Sequence, residues 1–238
     1  DPFAHWAGDG SDEVFAIASQ GDDTLLVGRI AGRADLDPFV VDAASTGQPY
    51  FARRGPGGAL EQLLLGSGDG EARSVVGPPG GSNQGVAYII GTVRNSTSWP
   101  GTGCSYATSD GDDDGYVARF VGGTCEWIVG IGGINAASAA NVTMTSVAAL
   151  DNGEIVVGGI ANGALVVKDG FATPPPPSFT TAGTDGFFVR LSASGDAFGP
   201  VGNASISGAT WQTVDAITVV KDTAGNQHFI VAGTSIGN

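Results

Sequence analysis

Gly115-Tyr116-Val117-Ala118-Arg119-Phe120-Val121-Gly122-Gly123-Thr124-Cys125-Glu126-Trp127-Ile128-Val129 is the stretch whose reading decides the fold. Two alternating apolar runs flank a Gly-Gly pair, the pattern of a β-hairpin whose turn needs positive φ at both central residues. Looser copies lie at residues 50–54 with 59–65 and at 186–191 with 196–198. At the start, Phe3-Ala4-His5-Trp6 reads as the second half of another copy, which places Trp6 with Trp127.

A second kind of hairpin alternates with the first. Its copies are residues 14–18 with 24–28 across Gly21-Asp22-Asp23, 74–76 with 86–91, 146–150 with 154–159, and 214–220 with 228–234. A spacing of about 60 to 70 residues is long for a single-motif solenoid and suits a four-stranded blade with generous loops. The expected fold is therefore all-β, with β-propeller-type repeats of four-stranded antiparallel blades at about 3–44, 45–111, 112–179 and 180–238. Counting gives about 15 strands where four such blades need about 16. The absent one would follow Thr234. Either the native chain continues, or another subunit fills the gap, or the propeller is not closed; the first is favoured, because an unpaired blade edge invites aggregation.

The repeat pattern runs Asp-Gly-(Tyr/Phe)-(Val/Phe)-x-Arg, then Gly and an aromatic, a Gly-rich link, an Ala-Ile-Ala-type strand, and a Val-x-Gly-Gly or Val-Ala-Gly-Thr strand. It resembles bacterial SBBP-type β-propeller repeats, and Cys125-Glu126-Trp127 is close to their Cys-or-Leu-before-Trp position. The resemblance covers nearly the whole chain, although the copies at 45–65 and 180–200 lack the Trp. It implies a propeller and an envelope or extracellular setting, with no shared activity to carry over.

Composition agrees with strands and turns. Among 238 residues there are 40 Gly, and the net charge of -14 is spread through turns rather than gathered in a tail. That surface disfavours nucleic acid as a partner. No apolar run approaches the roughly 20 residues that span a bilayer, no leader pattern is present, and the start at Asp1 fits a processed or trimmed chain. A bridge between Cys104 and Cys125 is favoured over two free thiols, given the secreted look of the composition. It would close a loop of about 20 residues.

Antiparallel order places the short hairpin turns at one end of the blades and the long connections, 29–49, 93–114 and 160–185, at the other, where inserted sequence builds a binding surface or is merely tolerated. Pro174 to Pro177 should form a short polyproline II spacer. Trp99, Tyr106 and Phe171 lie in these long connections, either as stacking platforms and partner anchors or as plugs on the blade ends.

Asp110, Asp112 and Asp114 match the opening of a D-x-D-x-D-G calcium loop, in which alternating carboxylates converge on a hard cation. No bidentate Glu follows, and Asp114-Gly115 aligns with Asp185-Gly186 as an ordinary repeat position. His5 and His228 sit beside aromatics in strands. No nucleophile, zinc or phosphate-loop motif occurs. Two convergent acids from among Asp37, Glu61, Asp69, Asp169 and Asp185 could serve a glycosidase, but most acids here flank turn glycines. Asn95, Asn141 and Asn203 head glycosylation-type triplets. The expectation is a non-enzymatic structural or adhesive module of the cell exterior or envelope, with a protein partner, the rest of a larger chain or further copies of itself, and Ca2+ as the one candidate cofactor. A lectin-like glycan binder is the alternative, and a carboxylate-dependent glycan-processing enzyme comes third.

Overall fold

The computed structural model describes residues 7–236 apart from 9, 37, 45, 80–84, 109–111, 134–139, 169–177, 197–203 and 207–210. The half-hairpin expected at Phe3 to Trp6 and the polyproline stretch at Pro174 to Pro177 lie outside the described residues. Within them the chain is all-β, with no helix.

After a short β1 (Ala7–Gly8), β2 (Asp12–Gln20) and β3 (Asp23–Ile30) make the first hairpin, turning at Gly21 with φ 62°. An inserted pair follows, β4 (Arg33–Leu36) and β5 (Phe39–Asp42), before β6 (Gln48–Arg54) and β7 (Leu60–Leu65) complete an antiparallel meander in the order β2-β3-β6-β7. The next strands are β8 (Ser67–Val76), β9 (Val86–Ser98), the inserted β10 (Ser105–Ala107), β11 (Asp113–Val121) and β12 (Thr124–Gly133), with β8, β9, β11 and β12 pairing in series. A third meander takes β13 (Asn141–Ala149), β14 (Ile155–Lys168), β15 (Ser178–Leu191) and β16 (Ala204–Ile206). The last described pair is the hairpin β17 (Ala216–Lys221) and β18 (Gln227–Ala232). Each sheet thus starts within the hairpin kind that is richer in plain aliphatic residues. The Gly122-Gly123 turn has φ of 55° and 83°, which a two-residue hairpin loop requires.

The first three sheets share one construction. In each first strand a bulge breaks the register, between Val14/Ala16, Ala72/Ser74 and Met144/Ser146. Opposite the bulge the second strand carries Gly28, Gly91 or Gly159, and the third strand sets Tyr50, Tyr116 or Phe187 beside that glycine. A Cβ on these glycines would stand 2.8, 2.5 and 3.0 Å from the ring. Bulge, bare backbone and ring therefore go together, since the missing side chain leaves the room that the aromatic fills. All three rings are fully buried.

Three residues after each ring comes an arginine. Arg53 pairs with Asp23 and Arg190 with Glu154, each acid lying two residues before the arginine's cross-strand neighbour. In the second sheet Val86 occupies that place, and Arg119 pairs instead with Glu126 on β12 and lies over the Tyr88 ring at 5.9 Å.

First strands pack one on the next. β8 lies against β2, β3 and β6, β13 against β8, β9 and β11, and β17 against β13 and β14. Leu25, Val27, Phe51, Ala72, Val75, Ile89, Tyr116 and Phe120 fill the space between the first two sheets. Tyr88, Ile90, Val117, Trp127, Met144, Val157 and Phe187 fill that between the second and third. Polar ties cross these layers: Gln20 Nε2 donates to the Val86 carbonyl, Tyr88 Oη to Gly153, Trp127 Nε1 to Ala193 and Thr145 Oγ1 to Val214.

The second and third sheets are also hydrogen-bonded to each other, because Gly130 to Gly133 of β12 pair with the far end of β14, Leu165 to Lys168. Separate blades would lack that seam. It forms because β12 and β14 both overrun their meanders, and the bare Cα of Gly132 there leaves room for the buried Asp114 carboxylate.

Candidate functional site

The inserted segments between second and third strands are β4-β5, the far end of β9 with β10, and the overrun of β14 and β15. Antiparallel order puts all three at one end of the sheets, here called the rim. The short turns lie at the other end.

In the second sheet the insertion folds back rather than reaching outward. Asn95 takes φ 71°, the one non-glycine at positive φ among the described residues, and β9 there leaves its register with β8 between Gly68 and Asp69. Asparagine tolerates this left-handed conformation better than most side chains. The returning chain pairs Ser98, Thr97 and Ser96 with Ser105, Tyr106 and Ala107. A Cys104–Cys125 disulfide then pins it to the start of β12, and Cys125 N donates to the Pro100 carbonyl. Trp99 is 4% exposed beneath this fold-back, edge-on to Phe120 with ring centroids 5.2 Å apart and tilted against Tyr116 at 6.5 Å. Its ring faces are covered by protein. Tyr106 is half-buried, lies on Gly130, and donates its hydroxyl to Asp114 Oδ2. Phe171 lies outside the described residues.

Asp114 and Asp185 are both fully buried, at the matching position before Gly115 and Gly186. Asp112, two residues before Asp114, is half-buried, and Asp110 lies outside the described residues. Among the described residues no group of three or more His, Cys, Asp or Glu side chains gathers as a metal site would need. Of the acids considered for glycan cleavage, Asp37 and Asp169 also fall outside, while Glu61, Asp69 and Asp185 come from three different strands.

What the rim does gather is a polar cleft of about 220 Å³ between the first two sheets, lined by Arg29, Asp69, Glu71, Thr92, Arg94 and Asp113. Arg94 Nε and Nη2 donate to both oxygens of Asp113 at 2.8 and 3.1 Å. This bond and the Asp113 charge, with Asp69 and Asp112 behind them, push the guanidinium pKa further up, so Arg94 is a permanent cation. Arg73 pairs with Glu71, and its guanidinium lies 5.0 Å from the Phe15 ring, joining the bulge residues of the two sheets. Arg29 Nη2 donates to the Thr46 carbonyl. Alternating guanidinium and carboxylate groups at a half-open mouth suit hydrogen-bonded recognition of a polar surface. Sequence reading passed over Arg29, Glu71 and Arg94. For Glu71 the available signal was the unbroken polar and glycine run Ser67-Gly68-Asp69-Gly70-Glu71 that opens β8.

No family model and no curated protein sequence matches the chain. Among the described residues no helix is long and apolar enough to cross a membrane.

Proposed function

We propose that the chain is a propeller-type interaction module of the cell exterior, related to SBBP-type repeats, that binds a protein partner through its rim. The observation that carries this reading is the placement of β4-β5, the β9-β10 fold-back and the β14-β15 overrun at one end of a repeated scaffold, with the charged cleft at that end between the first two sheets. The repeated meanders and the serial packing of β2, β8, β13 and β17 support the propeller. The disulfide supports an oxidising compartment.

The test is retention of the full chain on beads against a panel of surface proteins and polysaccharides. Saturable retention on a protein is expected. The double variant Arg94→Ala/Asp113→Ala, which removes both partners of the ion pair, should weaken it at least tenfold. Asp22→Asn at the turn end should leave it unchanged. Retention indifferent to the rim variant would overturn the proposal, and retention on polysaccharide alone, or release of shortened saccharide, would replace it with the glycan readings.

A further inference from the structure

Inside the rim cleft the internal ion pairs leave acceptors over. Asp69 stands opposite Arg94 and Arg94 opposite Asp113 across β8, β9 and β11, and Glu71 stands opposite Thr92 in the adjoining row. Arg94 donates through Nε and Nη2 to both oxygens of Asp113. Arg73 donates to Oε1 of Glu71, and Arg29 Nη2 to the Thr46 carbonyl. Among the described residues this leaves the Asp69 carboxylate and Oε2 of Glu71 with no donor. Thr92 adds an orphaned hydroxyl. It lines the cleft and is 9% exposed, and its buried Oγ1 has no hydrogen-bond partner. Buried hydroxyls are ordinarily satisfied, so an orphan at a cleft wall weakens the empty site and favours an occupied one.

Charge decides the class of occupant. Asp69 and Asp112 both act on the Arg94 charge from nearby, so four acids with Glu71 and Asp113 face the three arginines at 29, 73 and 94. The whole chain carries a net charge of -14, which draws cationic partners. An anion would find Arg73 and Arg94 already paired and only Arg29 left to hold it. A hard divalent cation needs about six to eight oxygens, whereas among the described residues no three acidic or other ligating side chains gather for a metal. A primary ammonium brings N–H donors alone and accepts nothing, which matches leftover acceptors on Asp69, Glu71 and Thr92.

On the reading that the rim binds a protein, we infer that the cleft takes the ammonium of one lysine side chain of that partner, held by Asp69 and Glu71 with Thr92 Oγ1 accepting a further N–H. A cleft of about 220 Å³ admits the tip of a long side chain rather than a folded element. The charge-assisted bonds to the two acids supply the affinity, and the Thr92 hydroxyl favours a donor over an apolar tip.

The probe is Nα-acetyl-lysine methylamide, titrated into the isotope-labelled full chain and followed by backbone amide chemical shifts. Saturable shifts centred on residues 69–71 and 92–94 are expected. The norleucine analogue, which keeps the aliphatic chain and lacks the ammonium, should give no saturable response. Asp69→Asn should weaken binding by about fivefold or more. Thr92→Val should weaken it by about threefold or more while raising the denaturant midpoint of the free chain, because the variant removes the orphaned hydroxyl. A merely structural hydroxyl would not move the two readouts in opposite directions. Shifts that do not saturate, an equal response to the norleucine analogue, or unchanged binding by Asp69→Asn would each overturn the inference. A protein retained through Arg94 and Asp113 by a chain that ignores the lysine analogue would overturn the ammonium site and leave the rim reading standing. Binding of the analogue by a chain that retains no protein would overturn the rim reading and leave the ammonium site.

Discussion

Tyr116 lies so close to Gly91 that a Cβ atom on the glycine would stand 2.5 Å from Cε1 of the ring. The same Cβ would also meet the Glu71 carbonyl, which belongs to backbone and cannot rotate away. Gly91→Ala should therefore destabilise the fold by about 1–3 kcal/mol, the usual cost of overpacking a filled core. Gly57→Ala, with open space around its Cβ, should be nearly neutral. Denaturant midpoints of the two variants check this, and equal midpoints would remove the glycine–ring pair as the organising contact.

The disulfide and Trp99 hold the fold-back jointly. Cys104 and Cys125 are 21 residues apart, so opening the bridge should cost on the order of 3 kcal/mol. Trp99→Ala should cost about 3–5 kcal/mol by leaving a cavity against Phe120 and Tyr116. Thermal unfolding of Cys104→Ser/Cys125→Ser and of Trp99→Ala, alone and combined, measures both, and the combined loss should fall short of the sum because the two act on one segment.

The acids of two arginine pairs differ in exposure, opposite to their arginines, and removing each acid should differ in cost. Glu126 is 45% exposed beside Arg119, whereas Glu154 is 19% exposed beside Arg190. Glu126→Ala should cost at most about 1 kcal/mol and Glu154→Ala about 1–2 kcal/mol. Urea titrations of the two variants in low and high salt check the order, and the Glu126 effect should be the more strongly screened.

Asp222 closes the β17–β18 turn. Its side chain accepts from Asn226 Nδ2 and contacts His228, and it also accepts from the backbone N–H groups of Asn226 and Ala224. Asn226 first, and then His228, hold its carboxyl well below the ordinary value of 3.8. A lowered folded pKa means that the stabilisation is fully present above the unfolded value and is lost as pH falls towards the folded one. Hydrogen exchange in residues 216–232 should thus rise between about pH 4 and pH 2 in the natural chain more steeply than in Asp222→Asn. Parallel profiles would show that the turn does not depend on this carboxylate.

Tyrosine ionisation carries the opposite sign. Burial, with the Glu71 charge adding to it, raises Tyr116 above its ordinary value of 10.0, and burial also raises Tyr50 and Tyr88. The folded state favours the neutral phenol, so stability is present below pH 10 and is lost as pH rises past it. Tyrosinate absorbance should therefore climb together with loss of β-structure by circular dichroism. A large absorbance rise with the fold intact would contradict the burial of these rings.

The sequence by itself determined the strands and their repeat. Alternation of side chains, Gly122-Gly123 and the recurring Gly-aromatic-x-x-Arg are local or evenly spaced signals, and each reports a backbone conformation or a face that neighbouring residues impose. It also favoured the Cys104–Cys125 bridge. Only the tertiary structure decided that residues 95–107 turn back at Asn95, that Trp99 is covered by protein while Tyr106 bonds Asp114, and that Arg29, Glu71 and Arg94 share a cleft. The reason is physical. A loop aromatic reads the same in sequence whether it plugs or protrudes, and ion pairs between sheets depend on how one sheet is set on the next. Arg119 shows the limit most clearly: its repeat position was legible, but its partner changed because a valine at position 86 stands where the other sheets carry an acid.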